Sequence, residues 1–316
     1  MSKNAIKGSE SIYGCDAEFY SKHIIDSLHN KLNINATCLG STGKKKDTDM
    51  SGDIDIAIEM EFTTENVERI KSYLEDEYGK DVQIYISYGF KIVSFGLKYN
   101  TLVKDETEKE KYAQVDLMFS NDLAYSKFMY HSPNYKNNES KFKGLYRTNL
   151  LIFIAGRTPH GVKDVYDEEG NLMDFWKYSL TYDRGLVLTH KTHRGKRKKK
   201  RLKNPVTVKE DTELILKDPE KIVKFILGPD ATIADTNSFE SLSEYMFSDK
   251  YPYKDIIPDI LNDYFSDERQ QPMINEIMTH FIKIIKSDAD KLAVFCKVIP
   301  CDNEISNITE FSYDNI

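Results

Sequence analysis

At 316 residues, 40% hydrophobic and 12% aromatic, the chain has material for two domains, or for one large domain with an appendage, and its 20 Tyr and 16 Phe exclude a disordered polymer. Its 44 Lys and Arg against 51 Asp and Glu give a net charge of −7, so the surface as a whole repels nucleic acid and any such contact needs a local basic patch. No apolar run approaches the ~18 residues of a membrane span, and the opening MSKNAIKGSESIYG has no signal-peptide core.

Residues 17–32 place Phe19, Ile24, Ile25, Leu28 and Leu32 at helical spacing. Ile34 to Leu39 reads as a short strand running into Gly40-Ser41. From Asp53 to Glu59 the sequence alternates, with Ile54, Ile56 and Ile58 on one face and Asp53, Asp55, Ala57 and Glu59 on the other. A helix follows, capped by Thr63 or Thr64, with Val67, Ile70, Tyr73 and Leu74 as its buried stripe. Gln83–Tyr88 and Lys91–Lys98 read as a hairpin about Gly89, and Ala113–Phe119 as a further strand after a charged loop. This order predicts an α+β fold, a mixed sheet flanked by helices, over about residues 1–125.

The pattern then changes. Ser140–Gly156 is a strongly apolar helix interrupted by Arg147 and Asn149, and 185–190 could be a strand. It leads into a basic run at 190–203 carrying nine Lys or Arg, closed by Asn204-Pro205. A central region is therefore expected over 126–205, bearing the helix and a basic loop. A mainly helical C-terminal domain is expected over 206–316, with helices at 219–227, 239–247, 256–265, 272–286 and 288–298. Cys15, Cys38, Cys296 and Cys301 form no CxxC and lie near no His at zinc-ligand spacing, which points to reduced thiols in a cytoplasmic protein.

The chemistry concentrates in residues 40–59, GSTGKKKDTDMSGDIDIAIE. A P-loop would need four residues before its Gly-Lys-Ser/Thr; here Gly40 and Gly43-Lys44 enclose two, and Lys45 stands where the hydroxyl should be. A calcium loop would use Asp47, Asp49 and Ser51, but its twelfth position is Ile58, with Glu59 one residue late, and strands flank it instead of helices. A two-metal site fits throughout. Divalent ions roughly 4 Å apart need carboxylates that cannot swing away. Asp53 and Asp55, two apart on a strand, share a face, and Asp116 on the strand Val115–Phe119 closes the set. Three clustered carboxylates repel one another, so structure alone does not account for them. The Gly40-Ser41 turn offers N–H donors and a hydroxyl to phosphate oxygens.

Gly40-Ser41, then Asp53-Ile-Asp55, then Asp116 within Gln-Val-Asp-Leu, resemble the DNA polymerase beta-like nucleotidyltransferase superfamily, over about residues 17–120. The resemblance implies a catalytic domain in which Asp53 and Asp55 hold two Mg²⁺ ions, Mn²⁺ being the alternative. Asp116 would hold the catalytic ion and orient the attacking hydroxyl, and Gly40 and Ser41 would hold the triphosphate of an NTP, ATP being the first choice. Lys44, with Lys45 and Lys46 beside it, and Arg147 are candidate nucleotide contacts, against solvation for the lysines and capping or an inter-domain hydrogen bond for the arginine. Lys196, Arg197, Lys198, Lys199 and Lys200 are candidates to grip RNA or another nucleic acid; a solvated loop or a nuclear localisation signal would look alike. His190 and His193, at i and i+3 without nearby carboxylates, do not form a metal motif. The leading acceptor is an RNA 3′ end. The rivals are a small molecule or protein side chain, and a nucleic-acid-binding relative without turnover.

Overall fold

A computed structural model describes residues 5–103, 110–159, 163–166, 172–194 and 206–285. It divides into two compact units, Met1–Thr148 with Tyr182–Gly185, and Asn149–Thr181 with Leu186–Ile316.

In the first unit, strand β1 (Ile12–Tyr13) leads into helix α1 (Gly14–Leu32) and strand β2 (Ala36–Cys38). Strands β3 (Met50–Ser51) and β4 (Ile54–Glu59) precede helix α2 (Thr64–Tyr78). Strands β5 (Ile84–Ser87), β6 (Ile92–Asn100) and β7 (Glu110–Ser120) follow, then helix α3 (Leu123–Met129) and the start of helix α4 (Gly144–Arg157). Five strands form one sheet in the order β2-β4-β7-β6-β5, with β4 and β7 parallel and the other pairs antiparallel.

The two-residue period of the sequence sorts the sheet into two faces. Ile54, Ile56 and Ile58 join Val115 and Leu117 of β7, Val93 and Phe95 of β6, Ile24 and Leu28 of α1, and Ile70 and Leu74 of α2 in one buried cluster. Each such side chain contributes about 1.5–3 kcal/mol by leaving water. The opposite face carries Ala57, Met118 and Ile92, covered by Leu123 and Tyr130. Thr63 caps α2 by accepting the Asn66 N–H at 3.2 Å. Helix α1 has no side-chain cap. The loop carbonyls of Asp49 and Asp47 accept its Gly14 and Cys15 N–H groups at 2.8 and 3.2 Å, which fixes the 44–50 loop against it.

The second unit holds an antiparallel sheet that the sequence pattern does not reveal. Strands β8 (Lys163–Tyr166), β9 (Leu172–Thr181), β10 (Gly185–Arg194) and β11 (Val206–Leu216) lie in the order β11-β10-β9-β8. The expected loop at 190–203 is therefore strand as far as Arg194. The boundary expected at residue 205 falls between β10 and β11, which pair along their whole length. Residue 125 lies inside α3, and the first unit continues to Thr148, within α4.

Helices α5 (Pro219–Leu227), α6 (Phe239–Phe247), α7 (Ile257–Ser266) and α8 (Ile274–Ile285) follow, close to the positions read from the sequence. Their core is aromatic: Phe239 packs on Tyr264 and Phe281. Arg157 forms a two-toothed bond with Asp263 at 2.6 and 2.9 Å. The helix expected at 288–298 lies outside the described residues. No helix among the described residues is long and apolar enough to cross a membrane.

Candidate metal and phosphate site

Asp55 on β4 is directly opposite Asp116 on β7, and Asp53 precedes Asp55 by two residues. All three thus face the same side of the sheet, and each presents a carboxylate oxygen within 4.8 Å of the others. Asp116 is 5% exposed. One neighbour holds it: Gln114 Nε2 donates to its Oδ1 at 2.9 Å, while Ser94 stands opposite it on β6, where it lowers the carboxyl pKa. Gln114 is itself fixed, because its Oε1 accepts the Ile6 N–H at 3.2 Å.

Burial, followed by repulsion from Asp53 and Asp116, holds the Asp55 carboxyl well above the usual range. Burial and then Asp116 raise Asp53. Burial raises Asp116, opposed by Ser94 and by the bond from Gln114. The Oδ1 of Asp55 is buried and, among the described residues, has no hydrogen-bond partner. A buried carboxylate oxygen without a donor costs about 1–3 kcal/mol or more. An oxygen-seeking divalent cation would supply the missing positive partner, so the donor set fits such an ion.

The turn after β2 is shaped around Asp55. Gly40 has φ +57°, and a Cβ there would lie 2.9 Å from Asp55 Oδ2, so any other residue would meet both backbone strain and the carboxylate. Asp55 N–H donates to Thr42 Oγ1 at 3.2 Å, and its carbonyl accepts the Leu39 N–H at 2.9 Å. Gly40 N–H is used by the Tyr130 carbonyl at 3.0 Å. The N–H groups of Ser41 and Gly43 donate to nothing among the described residues. Ser41 Oγ lies 3.4 Å from Ser51 Oγ.

The other expected contacts are differently used. Lys44 turns inward and donates to the Ser132 carbonyl at 2.6 Å, and burial lowers its pKa. Lys45 is the lysine whose charge is felt at Asp53; burial and then Lys143 lower its pKa, while Asp49 and Asp53 raise it. Arg147 is 1% exposed, donates to the Phe128 carbonyl at 2.6 Å and lies over the Phe128 ring. Thr148 donates to the Met129 carbonyl at 2.7 Å. Together they close the C-terminal end of α3, the capping alternative for Arg147. Burial lowers the Arg147 pKa to about 9. Asn149 donates to Gln270 Oε1 at 3.2 Å within the second unit. Lys196, Arg197, Lys198, Lys199 and Lys200 lie outside the described residues.

Gln114, Ser94 and Thr42 complete the site without having been singled out in the sequence, whereas Lys45 belongs to the lysine run 44–46 that the sequence offers as a phosphate contact. Gln114 was within reach of strand alternation, since it stands two residues before Asp116. Ser94 and Thr42 depend on register and turn geometry, which leave no local signal.

No family model matches the chain, and no curated protein does. Among solved structures it is similar to polymerase beta from Leishmania infantum. One, in a ternary P/T complex, is 12% identical with a TM-score of 0.31, covering 46% of this chain and 54% of that one. Another, in a ternary gap complex, is 13% identical with a TM-score of 0.31, covering 45% and 47%. The chain thus matches about half the length of these structures, and at that score the likeness carries no weight beside the geometry.

Proposed function

We propose that the protein transfers a nucleoside monophosphate from an NTP to a hydroxyl acceptor, with Asp53, Asp55 and Asp116 holding two divalent ions, Mg²⁺ first. The observation that carries this is the triad itself: three carboxylates on one face within 4.8 Å, one of their oxygens buried and unpartnered. Bound there, divalent ions would neutralise charge on the transferred phosphoryl group and ease ionisation of the attacking hydroxyl.

The chain's own residues do the positioning. Asp116, held by Gln114, keeps one orientation and receives or steers the hydroxyl proton. The N–H groups of Ser41 and Gly43 and the Ser41 hydroxyl are donors for the phosphate oxygens of the NTP, ATP as first choice. Lys45, whose charge is felt at Asp53, adds positive charge beside them. The acceptor oxygen bonds to the α-phosphorus as the bond to the β-phosphate oxygen breaks, and pyrophosphate leaves with that electron pair.

An RNA 3′ end is the acceptor we favour, because the run ending at Lys203 is the one dense basic stretch of an acidic chain. The test is incubation with α-labelled ATP, Mg²⁺ and either an RNA oligonucleotide or a cell lysate. Label on RNA is expected. It should fall at least about 10³-fold in Asp116→Asn, since a metal ligand contributes several kcal/mol and each 1.36 is tenfold. Loss of RNA label on neutralising Lys196–Lys200 would tie the acceptor to the basic run, and label on protein alone would replace RNA by a side-chain acceptor. No label on any acceptor, with wild type and Asp116→Asn alike, would overturn the proposal.

A further inference from the structure

A crevice of about 440 Å³ opens in the first unit, lined by Lys7, Glu10, Asp81, Lys98, Lys111 and Tyr112. That size falls in the range of small-molecule pockets, roughly 300–1,000 Å³. Its floor is fixed by the sheet. Lys98 and Tyr112 are opposed across β6 and β7, and Tyr112 crosses over Gly96, where a Cβ would fall 1.9 Å from the phenol oxygen. Its N-terminal wall is fixed too. The Gln83 side-chain amide accepts the Lys7 N–H and donates to the Lys7 carbonyl, both at 3.2 Å, and the Glu10 N–H donates to the Tyr112 carbonyl at 2.8 Å.

Charges of both signs line this crevice. Among the described residues Lys7, Lys98, Glu10 and Asp81 enter no ion pair, although all four line the same space. Burial, then Asp81, raise the Tyr112 pKa, which keeps the phenol a donor. Ammonium groups and carboxylates that line one crevice without pairing match a ligand with two kinds of group. One is an anion for the lysines, which serve phosphate well as point charges. The other is a hydroxyl or amine donor for Glu10 and Asp81.

We propose that this crevice is a second ligand site, taking a phosphate ester that bears hydroxyl or amine donors, the chemistry shared by nucleotides and sugar phosphates. It is separate from the triad: Tyr112 stands four residues before Asp116 on β7, about 13 Å along the strand. Gln114 lies between them under the Ile6 N–H.

The test is equilibrium dialysis of the full chain carrying Asp53→Asn and Asp55→Asn, in EDTA, so that binding at the triad cannot imitate the result. AMP, ribose 5-phosphate and inorganic phosphate are each titrated to about 1 mM, a scale that captures weak small-molecule affinity. Saturable AMP binding is expected, weakened at least tenfold in Lys7→Ala/Lys98→Ala and weakened also in Glu10→Gln/Asp81→Asn. Ribose 5-phosphate bound as tightly as AMP assigns the site to sugar phosphates, and tighter AMP assigns it to nucleotides. These side chains are exposed, and unchanged thermal midpoints verify that the fold is intact. Absence of AMP binding, AMP binding indifferent to both pairs of substitutions, or inorganic phosphate bound as tightly as AMP would overturn the proposal. None of these outcomes depends on whether the triad catalyses.

Discussion

The two faces of strands β4 and β7 do opposite work with neighbouring residues. Ile54, Ile56 and Ile58 are each 0% exposed and packed between the sheet and helices α1 and α2. One residue away, Asp53 and Asp55 are held with Asp116 at a spacing their charges resist. Burial on the apolar face offsets the repulsion stored on the other, and the strand backbone ties the two so that neither can relax alone. A carboxylate cluster of this kind is tolerable only on an element anchored by its reverse side.

Cutting into the anchor gives the largest expected effect. Ile56→Ala removes a fully buried side chain and should lower unfolding free energy by about 2–5 kcal/mol, measured by urea denaturation. If the protein remains folded at low temperature, labelling activity per folded molecule should change little. A collapse of activity without loss of stability would show that the two faces are not separable as described.

Substitution on the carboxylate face should act with the opposite sign. The three carboxyls have folded pKa values above their unfolded ones, about 3.9. Their contribution to stability is therefore full below that value and is lost as pH rises through the raised folded values. Metal-free protein should lose stability from this source as pH rises above about 4. Asp55→Asn should flatten that slope and raise the metal-free melting temperature at pH 8. Saturating Mg²⁺ should stabilise the wild type, by about 2.7 kcal/mol at a hundred times the dissociation constant, and leave Asp55→Asn nearly unmoved. A variant less stable than wild type in EDTA at pH 8 would contradict the repulsion.

The site was legible in the sequence to the extent that it lies on regular strands. Asp53, Ile54, Asp55, Ile56 alternate without interruption, and Val115 and Leu117 flank Asp116 in the same period, so both faces can be assigned by counting. Helices α5 and α6 were equally readable, with an Asp218 cap before Pro219 and a Ser238 cap before Phe239. Strand β10 was half-hidden because GLVLTHKTHR turns from apolar to basic midway. The register shifts between Leu186 and Val187 and between Thr192 and His193 also break the period of two. Its partner β11 carries Lys209, Glu210, Asp211 and Glu213, which read as loop because a strand's partners are remote in sequence. Arg147 was misleading for a related reason. A lone cation in an apolar helix suggests a ligand, whereas its guanidinium meets a carbonyl 19 residues upstream that no local pattern reveals.

The smallest expected effect separates two adjacent lysines that sequence cannot rank. Lys44 is committed to the Ser132 carbonyl, whereas Lys45 donates to the Met50 carbonyl and shares its field with Asp53. Lys44→Met should thus cost about 1 kcal/mol of stability, the worth of one hydrogen bond, with the KM for ATP unchanged. Lys45→Met should cost less stability, because its bond to the Met50 carbonyl is exposed and water replaces it. It should raise that KM about 3- to 10-fold, because a half-exposed charge beside a triphosphate contributes about 1 kcal/mol. The effect should shrink as salt rises, since the Debye length falls from about 10 Å at 0.1 M to 3 Å at 1 M. Equal KM changes for the two variants would mean that the loop rearranges when nucleotide binds, and that Lys44 leaves Ser132 to reach it.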